Sequence, residues 1–539
     1  MKKVNLIVLL MVFLSFTQGN CQTTPDKENL TDNNGKAPKM PSQEDVQRFI
    51  SNGWVRYSDF GAKGDGKTDD IAAIAATHTF ANKHNLTVKG DDKATYYIGG
   101  RKHTVNIQTD TDFGNAAFII DDTNVADRNA HVFSVNSAKQ SYKLKNVASL
   151  KKNQDKLNVS LSGTCVVTVT DSNVKRYIRY GPNQNSGSPQ TDVFIVDENG
   201  NVDKNTPILW DFDQITEFTV IPVDETRLTI TGGKFTTIAN REDSKYNYYA
   251  RGIAIRRSNV VVDGLEHYII EEGDHGAPYG GFINIANCSN VNVRNTILTG
   301  HKVYRTIGSA GTPVSMGTYD ININKALNIT FENCSQSNDI HNAAYWGILG
   351  SNYCKNLVYD HCTFSRFDAH MGVANATVRN STLGHQGINA IGCGVFVVEN
   401  STISATNLIN LRSDYGSTWE GEFFIRNCVF VPRSVKSGNV NLIGGFNSGQ
   451  HDFGYTCYMP ERITIENLKI DDAGYPAGYK GPAIFSDFNL EMKDESYVEK
   501  FPYIITKEVV LKNVTSESGL PLRISDNTYM FRDVKINNE

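Results

Sequence analysis

The sequence lacks the features of a membrane protein or a nucleic-acid-binding protein. Beyond residue 20 no apolar run is long enough to cross a bilayer. The 53 Lys and Arg residues are outweighed by 58 Asp and Glu residues, giving a net charge of −5. Such a chain has no global positive field to attract nucleic acid or another polyanion. An acidic ligand would therefore need a local basic patch.

The N-terminal residues predict export. Residues 1–20 place Lys2 and Lys3 before an apolar run that ends in small residues, which is typical of a secretory signal peptide. Cleavage after Gly19 fits an ordinary signal peptidase. The alternative is a lipoprotein anchored through Cys21, although the preceding residues QGN fit a lipobox poorly. Polar residues 21–50 indicate a tether, and we expect a protein of the periplasm or cell surface.

One short phrase recurs in the C-terminal half of the chain. It consists of an apolar residue, a polar one, usually Asn, a small residue and another apolar residue. The intervals run from 19 to about 40 residues, as expected for a solenoid with loops of variable length. Alternating β-branched residues with Gly and Asn at the breaks favour strands, and so a parallel β-helix. The phrase occurs at residues 293–298, 331–336, 359–364, 378–383, 398–403, 425–430 and 465–470.

Two residue types within the phrase are predicted to be structural. Four of the nine cysteines occupy the small-residue position, which favours a buried stack of small side chains over disulfides. The recurring asparagines are expected to form a hydrogen-bonded ladder at one corner. The cysteines are Cys288, Cys334, Cys362 and Cys428, and the asparagines are Asn295, Asn333, Asn380, Asn400, Asn427 and Asn467.

Residues 54–84 predict a short strand, a Gly-Asp turn and an alanine-rich helix capped by Thr68 or Asp69. The phrase DFGAKGDGKTDD within them resembles the opening segment of pectin-lyase-like right-handed β-helix proteins. That group includes polygalacturonases, polysaccharide lyases and phage tail spikes, and its helix plugs the end of the coil. The resemblance implies an all-β, single-stranded right-handed parallel β-helix with an N-terminal capping helix. It implies no single activity, because the group contains hydrolases, lyases and binding proteins.

The predicted β-helix domain spans residues 51–539. Residues 100–245 lack the clean phrase but are rich in strands, so we interpret them as early coils with a β-rich insertion. Residues 246–539 form the regular coils.

The regular coils predict a wall of polar side chains. Aligning Ile348, Val373, Ile388 and Ile409 as inward residues places Tyr345, His370 and His385 in one outward column, with the two histidines on adjacent strands about 4.8 Å apart. Further polar residues follow on this face or in loops on the same side. They are His301, Lys302, Arg305, Tyr319, His341, Arg366, Asn389, Asn410, Arg412 and Trp419.

The same residues have a structural interpretation. The histidines would then be a stabilising stack, and Trp419 and Trp346 would be core aromatics instead of sugar platforms. Arg366 and Arg412 would only pair with Asp368 and Asp414. Against this, surface loops that cluster such groups usually carry function.

A basic and aromatic groove on an exported β-helix suggests an acidic oligo- or polysaccharide as ligand. β-Elimination from a uronic acid requires a base for the C5 proton, an acid for the C4 oxygen and a cation for the carboxylate. We assign His385 or His370 as base and Tyr345 or Tyr319 as acid. Arg412, with Arg366 or Arg305, is the expected carboxylate clamp.

The product depends on the leaving group: loss of a sugar defines a polysaccharide lyase, and loss of water defines an oligosaccharide dehydratase. The chain is similar in character to the carbohydrate-utilisation enzymes of Bacteroidetes-type bacteria, among which an ulvan oligosaccharide dehydratase is one specific hypothesis.

Two other functions stay open. Glycoside hydrolysis usually needs two carboxyl groups across the scissile bond, and the paired aspartates of polygalacturonases have no counterpart here. The third option is a glycan-binding protein without catalysis. We predict no cofactor, although the acidic runs 271–274 and 90–92 offer an alternative calcium site.

Overall fold

The computed structural model describes residues 31, 35–273, 276–433 and 438–539. Their chain winds into a right-handed parallel β-helix, which confirms the predicted fold class. The predicted signal peptide, Cys21 and Asp274 lie outside the described residues. None of the helices in the described ranges has the length and apolarity needed to cross a bilayer.

Each coil contributes to three parallel sheets, and the longer strands bend around a corner from one sheet into the next. Sheet 1 contains Val105–Ile107, Phe133–Asn136, Ile253–Arg256, Gly280–Ala286, Tyr319–Asn324, Leu349–Asn352, the second halves of Thr363–Met371 and Thr382–Ala390, Asn407–Leu411, Asn441–Gly444 and Ala483–Phe485.

Sheet 2 contains Trp54–Arg56, Thr87–Lys89, the first halves of Thr111–Asp121 and Leu228–Ile238, Val260–Asp263, Ser289–Arg294, Leu327–Glu332, Lys355–Asp360, Val373–Arg379, Gly392–Glu399, the first halves of Trp419–Phe430, Arg462–Ile470 and Glu508–Ser516, and Lys535–Asn538. Sheet 3 contains Asp65–Asp69, Thr95–Ile98, Glu266–Ile270, Ile297–Leu298, Ser335–Gln336, Thr402–Ile403 and the remaining halves of the bent strands.

The corner between sheets 2 and 3 is the predicted asparagine ladder. Its asparagines have positive φ angles, for example 49° at Asn400, which Asn tolerates better than most residues. Asn400 donates to Asn380 at 3.3 Å and receives a hydrogen bond from Asn427 at 3.2 Å. The ladder is therefore confirmed, with His361 (φ 53°) occupying this corner in one coil.

The cysteines of the repeated phrase are free and buried, as predicted. The Cys362 amide donates to the hydroxyl of Ser381 on the next coil at 3.0 Å, and the Ser381 amide to that of Ser401 at 3.1 Å. These small side chains belong to the interior of the coil. One continuous apolar core runs along the solenoid from Phe49 to Val534.

Two α-helices precede the regular coils. Helix α1, Gln43–Asn52, replaces the end of the predicted tether; Ser42 caps it, and its Phe49 packs on Phe60 and Phe80. Helix α2, Ile71–His84, is the predicted capping helix and has eight buried residues. Its N-cap is Asp70, one residue later than predicted, although the Asp69 side chain accepts the Ile71 amide at 3.2 Å.

The predicted insertion forms a separate antiparallel sheet with its own apolar core. Its strands are Tyr142–Lys143, Cys165–Arg176, Ser188–Val196 and Glu217–Pro222. Three short pairs complete the strands: His301–Lys302 with Tyr345–Gly347, Tyr304–Ile307 with Pro313–Met316, and Cys457–Tyr458 with Tyr503–Ile504.

Candidate active site

Sheet 1 carries the candidate site, and part of its predicted register is confirmed. Ile388 pairs with Ile409, and Asn389 pairs with Asn410. The Asn410 amide donates to the Asn389 side-chain oxygen at 2.9 Å, so these two polar groups share an outward column.

The predicted pairing of the two histidines is wrong. Ile388 lies beside Phe367, not Val373, which belongs to sheet 2. His370 therefore lies three residues after Phe367, whereas His385 lies three residues before Ile388, the partner of Phe367. They lie on adjacent coils but at opposite ends of their sheet 1 segments.

The error comes from two similar motifs at different corners. Both histidines stand two residues before a glycine with positive φ, 59° at Gly372 and 55° at Gly387. Gly372 makes the turn from sheet 1 to sheet 2, but Gly387 lies at the corner where sheet 3 enters sheet 1. Identical spacing therefore marked two different positions of the coil.

Five side chains on and beside the sheet 1 strands form an arginine cluster: Arg179, Arg366, Asp368, Arg412 and Asp414. Asp368 is fully buried and pairs with Arg366 at 2.7 Å and with Arg412 at 3.2 Å. Asp414 pairs with Arg412 and with Arg179, both at 2.8 Å. The internal pairing of both predicted arginines is thus confirmed. Three guanidinium groups nevertheless share two carboxylates, which leaves one excess positive charge.

The cluster also contains unused hydrogen-bond donors. Arg366 is 3% exposed, and its Nε and Nη1 have no partner among the described residues. Arg179 Nε is likewise buried and unpartnered in that part of the chain. Leaving buried donors unpaired costs roughly 1–3 kcal/mol each. These groups favour an incoming acceptor such as a carboxylate.

The ion pairs fix the charge state of the cluster. Burial lowers the pKa of Arg412, but Asp368 and Asp414 outweigh burial and hold that pKa above its usual value. Burial raises the pKa of Asp414, yet Arg412 and Arg179 outweigh this effect and keep it below its usual range. Asp414 is therefore ionised at neutral pH.

Tyr319 lies beside the cluster. Its ring packs over Gly350 of the next strand, where an added Cβ would stand 3.2 Å from the ring. Burial raises the pKa of Tyr319, and the charge of Asp368 adds to that effect while Arg366 and Arg412 oppose it. The phenol is therefore protonated at neutral pH and can donate a proton.

His370 is half-buried and also lies beside the cluster. Its Nδ1 donates to the Asn352 side-chain oxygen at 2.8 Å, which leaves Nε2 as the proton acceptor of the ring. Its ring meets Tyr415 edge-on at 5.6 Å. Burial lowers the pKa of His370 to about 3, with a further contribution from Arg412, so the ring is neutral.

His385 and Tyr345 lie further from the centre of the cluster. Nδ1 of His385 donates to the Ile340 carbonyl at 3.1 Å, and Gln386 stands 3.3 Å from Nε2. Burial lowers the pKa of His385. Tyr345 pairs with Lys302 in a short antiparallel ladder outside the three main sheets, so its predicted column is wrong.

His301 and Lys302 are held by residues of the preceding and following strands and loops. His301 is 1% exposed and lies between Glu272 Oε1 at 3.3 Å and Asp320 Oδ1 at 3.2 Å. The Lys302 ammonium donates to the Glu272 carbonyl at 2.7 Å. The predicted role of His301 in substrate binding is wrong, because its imidazole is buried and both ring nitrogens already face carboxylates.

The remaining predicted residues are scattered. Trp419 is fully buried and donates to the Gly394 carbonyl at 2.9 Å, so it is a core aromatic and not a sugar platform. Arg305 is exposed on the Tyr304–Ile307 hairpin and is not part of the arginine cluster. The His341 carbonyl accepts from Arg433 at 3.2 Å, which ties it to a neighbouring loop. Trp346 stacks on the Arg366 guanidinium at 5.0 Å.

Sequence reasoning missed Arg179. It lies more than 180 residues before Arg366, in the return segment of the insertion, residues 177–187, which follows strand Cys165–Arg176. The Tyr180 amide donates to the Asp414 carbonyl at 2.9 Å and fixes this segment beside the cluster. No repeat or motif in the sequence marks that contact.

Two cavities lie elsewhere on the described chain. A polar groove of about 480 Å³ on sheet 2 includes Arg227, Asn292 and Arg294 in its lining. A second of about 520 Å³ lies near the C-terminus and includes Met492 and Met530. Neither cavity is lined by a histidine or a tyrosine. The wall of sheet 1, by which we mean the arginine cluster with Tyr319 and His370, combines an acid, a base and excess positive charge. The wall is therefore the better candidate for catalysis.

No family model matches the chain. The chain is 29% identical over 129 residues to a capsule KL64-specific depolymerase of Klebsiella phage P510, and the match spans 21% of this chain and 12% of the depolymerase.

Two solved structures are similar over most of the chain. The tailspike gp61 of Pseudomonas phage phi297 has a TM-score of 0.53 at 12% identity, covering 88% of this chain and 83% of its own. The gp54 tailspike of Acinetobacter baumannii bacteriophage AP22, solved with a capsular saccharide, has a TM-score of 0.48 at 10% identity, covering 94% and 81%. At 12% identity, the similarity to the tailspike gp61 shows the fold alone.

Proposed function

We propose that the protein acts on uronate-containing glycans by β-elimination. The observation that carries the proposal is the arginine cluster, in which three guanidinium groups share two carboxylates, with Tyr319 and His370 both beside it. One excess positive charge and unpaired donors suit one further carboxylate. The 29% identical segment of a capsule depolymerase supports a glycan as ligand.

The wall supplies each part of the reaction. Arg412 and Arg179, whose side chains are 14% and 23% exposed, bind the uronate carboxylate, and the buried Arg366 adds positive charge behind them. His370 Nε2 takes the C5 proton as the C4–C5 double bond forms. The C4–O bond breaks, and its oxygen takes the Tyr319 proton. The arginines stabilise the enolate-like intermediate.

His370 is a weak base in the free protein, because burial lowers its pKa to about 3. A bound uronate adds negative charge beside the imidazole, which favours its protonated form and raises its pKa. The base therefore gains strength when substrate is present. His385 is the second candidate, but its Nε2 already faces Gln386 at 3.3 Å.

Hydrolysis fits this wall less well. It needs a protonated carboxyl group as general acid beside an ionised one. Asp368 and Asp414 are both in ion pairs with Arg412, and the pKa of Asp414 lies below its usual range.

The finer expectations complete the proposal. The enzyme is exported to the periplasm or cell surface and uses side chains alone. Uronate-terminated oligosaccharides of the ulvan type are the preferred substrate class, with water as the leaving group in a dehydratase and a sugar in a lyase.

Incubation with ulvan, alginate and pectate oligosaccharides tests the proposal by mass spectrometry and by absorbance of the C4–C5 double bond. Loss of one water marks a dehydratase, and cleavage with an unsaturated end marks a lyase. We expect His370→Ala and Tyr319→Phe each to lower kcat by about 100-fold or more. His361→Asn, at an exposed corner, and Tyr142→Phe, in the insertion, are matched controls.

Addition of water during cleavage would replace elimination with hydrolysis. Saturable binding without any product would leave a glycan-binding protein. Full activity of both site variants would remove the assignment of acid and base.

A further inference from the structure

The return segment of the insertion, residues 177–187, lies against the wall of sheet 1. The Ile178 amide donates to the Phe453 carbonyl at 3.1 Å, and the Tyr180 amide to the Asp414 carbonyl at 2.9 Å. On its far side the Ala310 amide donates to the Pro182 carbonyl at 3.0 Å. The segment is thus fixed at both ends beside the arginine cluster.

This segment presents an unusually exposed aromatic ring. Tyr180 is 47% exposed, and its ring lies 5.0 Å from that of His451 at an angle of 53°. Tyr246, 40% exposed, donates to the Asn183 side chain at 2.8 Å and flanks the segment. Exposed tyrosines with an apolar ring and a polar tip suit the mixed surface of a sugar.

Unpaired polar atoms adjoin the same place. Arg179 Nε and His451 Nε2 are both buried and have no hydrogen-bond partner among the described residues. Arg179 is held by Asp414 at 2.8 Å and lies over the Tyr415 ring at 5.4 Å. A sugar hydroxyl can accept from Arg179 Nε, and it can either donate to or accept from His451 Nε2.

We propose that Tyr180 and His451 form a second sugar-binding subsite, which adjoins the reactive one and shares Arg179 with it. It takes a sugar residue beyond the disaccharide unit that occupies the reaction centre. The proposal rests on the proposed function and deepens it, because it assigns a binding position to a further residue of the oligosaccharide.

Asp414 connects the two subsites. Its carboxylate holds Arg412 and Arg179, while its carbonyl oxygen holds the Tyr180 backbone. Asn389 and Asn410 stand one coil apart on the same face, about 4.8 Å from each other. The outward polar column of sheet 1 therefore continues along the solenoid axis beyond the arginine cluster.

Kinetics with oligosaccharides of two and four residues, cut from the polymer that reacts, test the subsite. For Tyr180→Ala we expect KM for the longer substrate to rise about tenfold, with kcat and the disaccharide KM unchanged. Tyr180→Phe keeps the ring and should restore KM. Tyr142→Ala, another exposed tyrosine of the insertion, is the control, and thermal melting checks that each variant folds.

An equal effect of Tyr180→Ala on both lengths, or no effect on either, would overturn the subsite while leaving β-elimination intact. If no polymer reacts, affinity gel electrophoresis with ulvan, alginate and pectate tests the subsite through binding alone. Retardation of the wild-type protein but not of Tyr180→Ala supports the subsite without catalysis. Equal retardation of both proteins, or of neither, refutes it.

Discussion

At the residue scale, His301 shows how neighbours set the charge of a buried group. It is 1% exposed, and its two ring nitrogens face Glu272 and Asp320 at 3.3 and 3.2 Å. Burial alone would lower its pKa, but the carboxylates outweigh burial and raise the pKa to about 9. The sequence showed the histidine without its partners, since Glu272 comes from a loop of the preceding coil and Asp320 from a later sheet 1 strand.

His301 should make stability fall at alkaline pH. A pKa raised in the folded state above the usual 6.5 gives a stabilisation that is complete below about pH 6.5 and is lost as pH rises through about 9. His301→Asn should cost on the order of a few kcal/mol at pH 6 and much less above pH 9. Thermal melting from pH 6 to 10 measures the difference, with His361→Asn as control. A difference independent of pH would contradict this charge assignment.

At the element scale, the corner between sheets 2 and 3 depends on backbone conformation and on side-chain pairing. Asn400 has a φ of 49° and hydrogen bonds to the asparagines of both neighbouring coils. The repeated phrase predicted this ladder because each asparagine keeps one place in the repeat. The turn from sheet 1 to sheet 2 forms a second ladder, for instance Asn328 to Asn290 at 3.1 Å, which the phrase did not reveal.

Asn400→Ala should lower stability by about 2 kcal/mol, because alanine in the left-handed region costs roughly 1–2 kcal/mol and two hydrogen bonds are lost. Asn153→Ala, at a φ of 60° in the insertion, is the matched control that carries the backbone cost alone. Urea denaturation compares the two variants. Equal losses would show that the ladder's hydrogen bonds contribute nothing.

At the scale of the whole molecule, the insertion is tied to the solenoid by a buried ion pair. Lys355 on sheet 2 contacts Asp192 of the insertion at 2.8 Å, with side chains 1% and 2% exposed. Burial lowers the pKa of Lys355, and Asp192 partly offsets that effect. Because Arg179 and Tyr180 also come from the insertion, its docking shapes the proposed substrate-binding surface.

Lys355→Met should destabilise the docked insertion by about 3–5 kcal/mol, because it leaves a buried carboxylate unpaired. We expect faster proteolysis within the insertion and a higher KM. Lys355→Met with Asp192→Asn removes the orphaned charge and should recover much of the loss. Lys152→Met breaks an exposed insertion–solenoid pair, to Glu420 at 2.8 Å, and should change little. Unchanged proteolysis in Lys355→Met would refute the role of the buried pair.

The sequence by itself determined the coil. A recurring phrase fixes the parallel strands, the asparagine corner and the buried cysteines, since each depends on residues close together in one repeat. The sequence also predicted four site residues that lie around Asp368 in the fold, namely Tyr319, His370, Arg366 and Arg412.

Only the tertiary structure decided the register and the partners. A one-dimensional pattern cannot tell which corner a His-x-Gly motif occupies, so His370 and His385 were aligned six positions out of register. It likewise could not show that Arg179 reaches Asp414, or that Trp419 and His301 are buried. Such contacts join residues far apart in the chain, and loop lengths between coils set them.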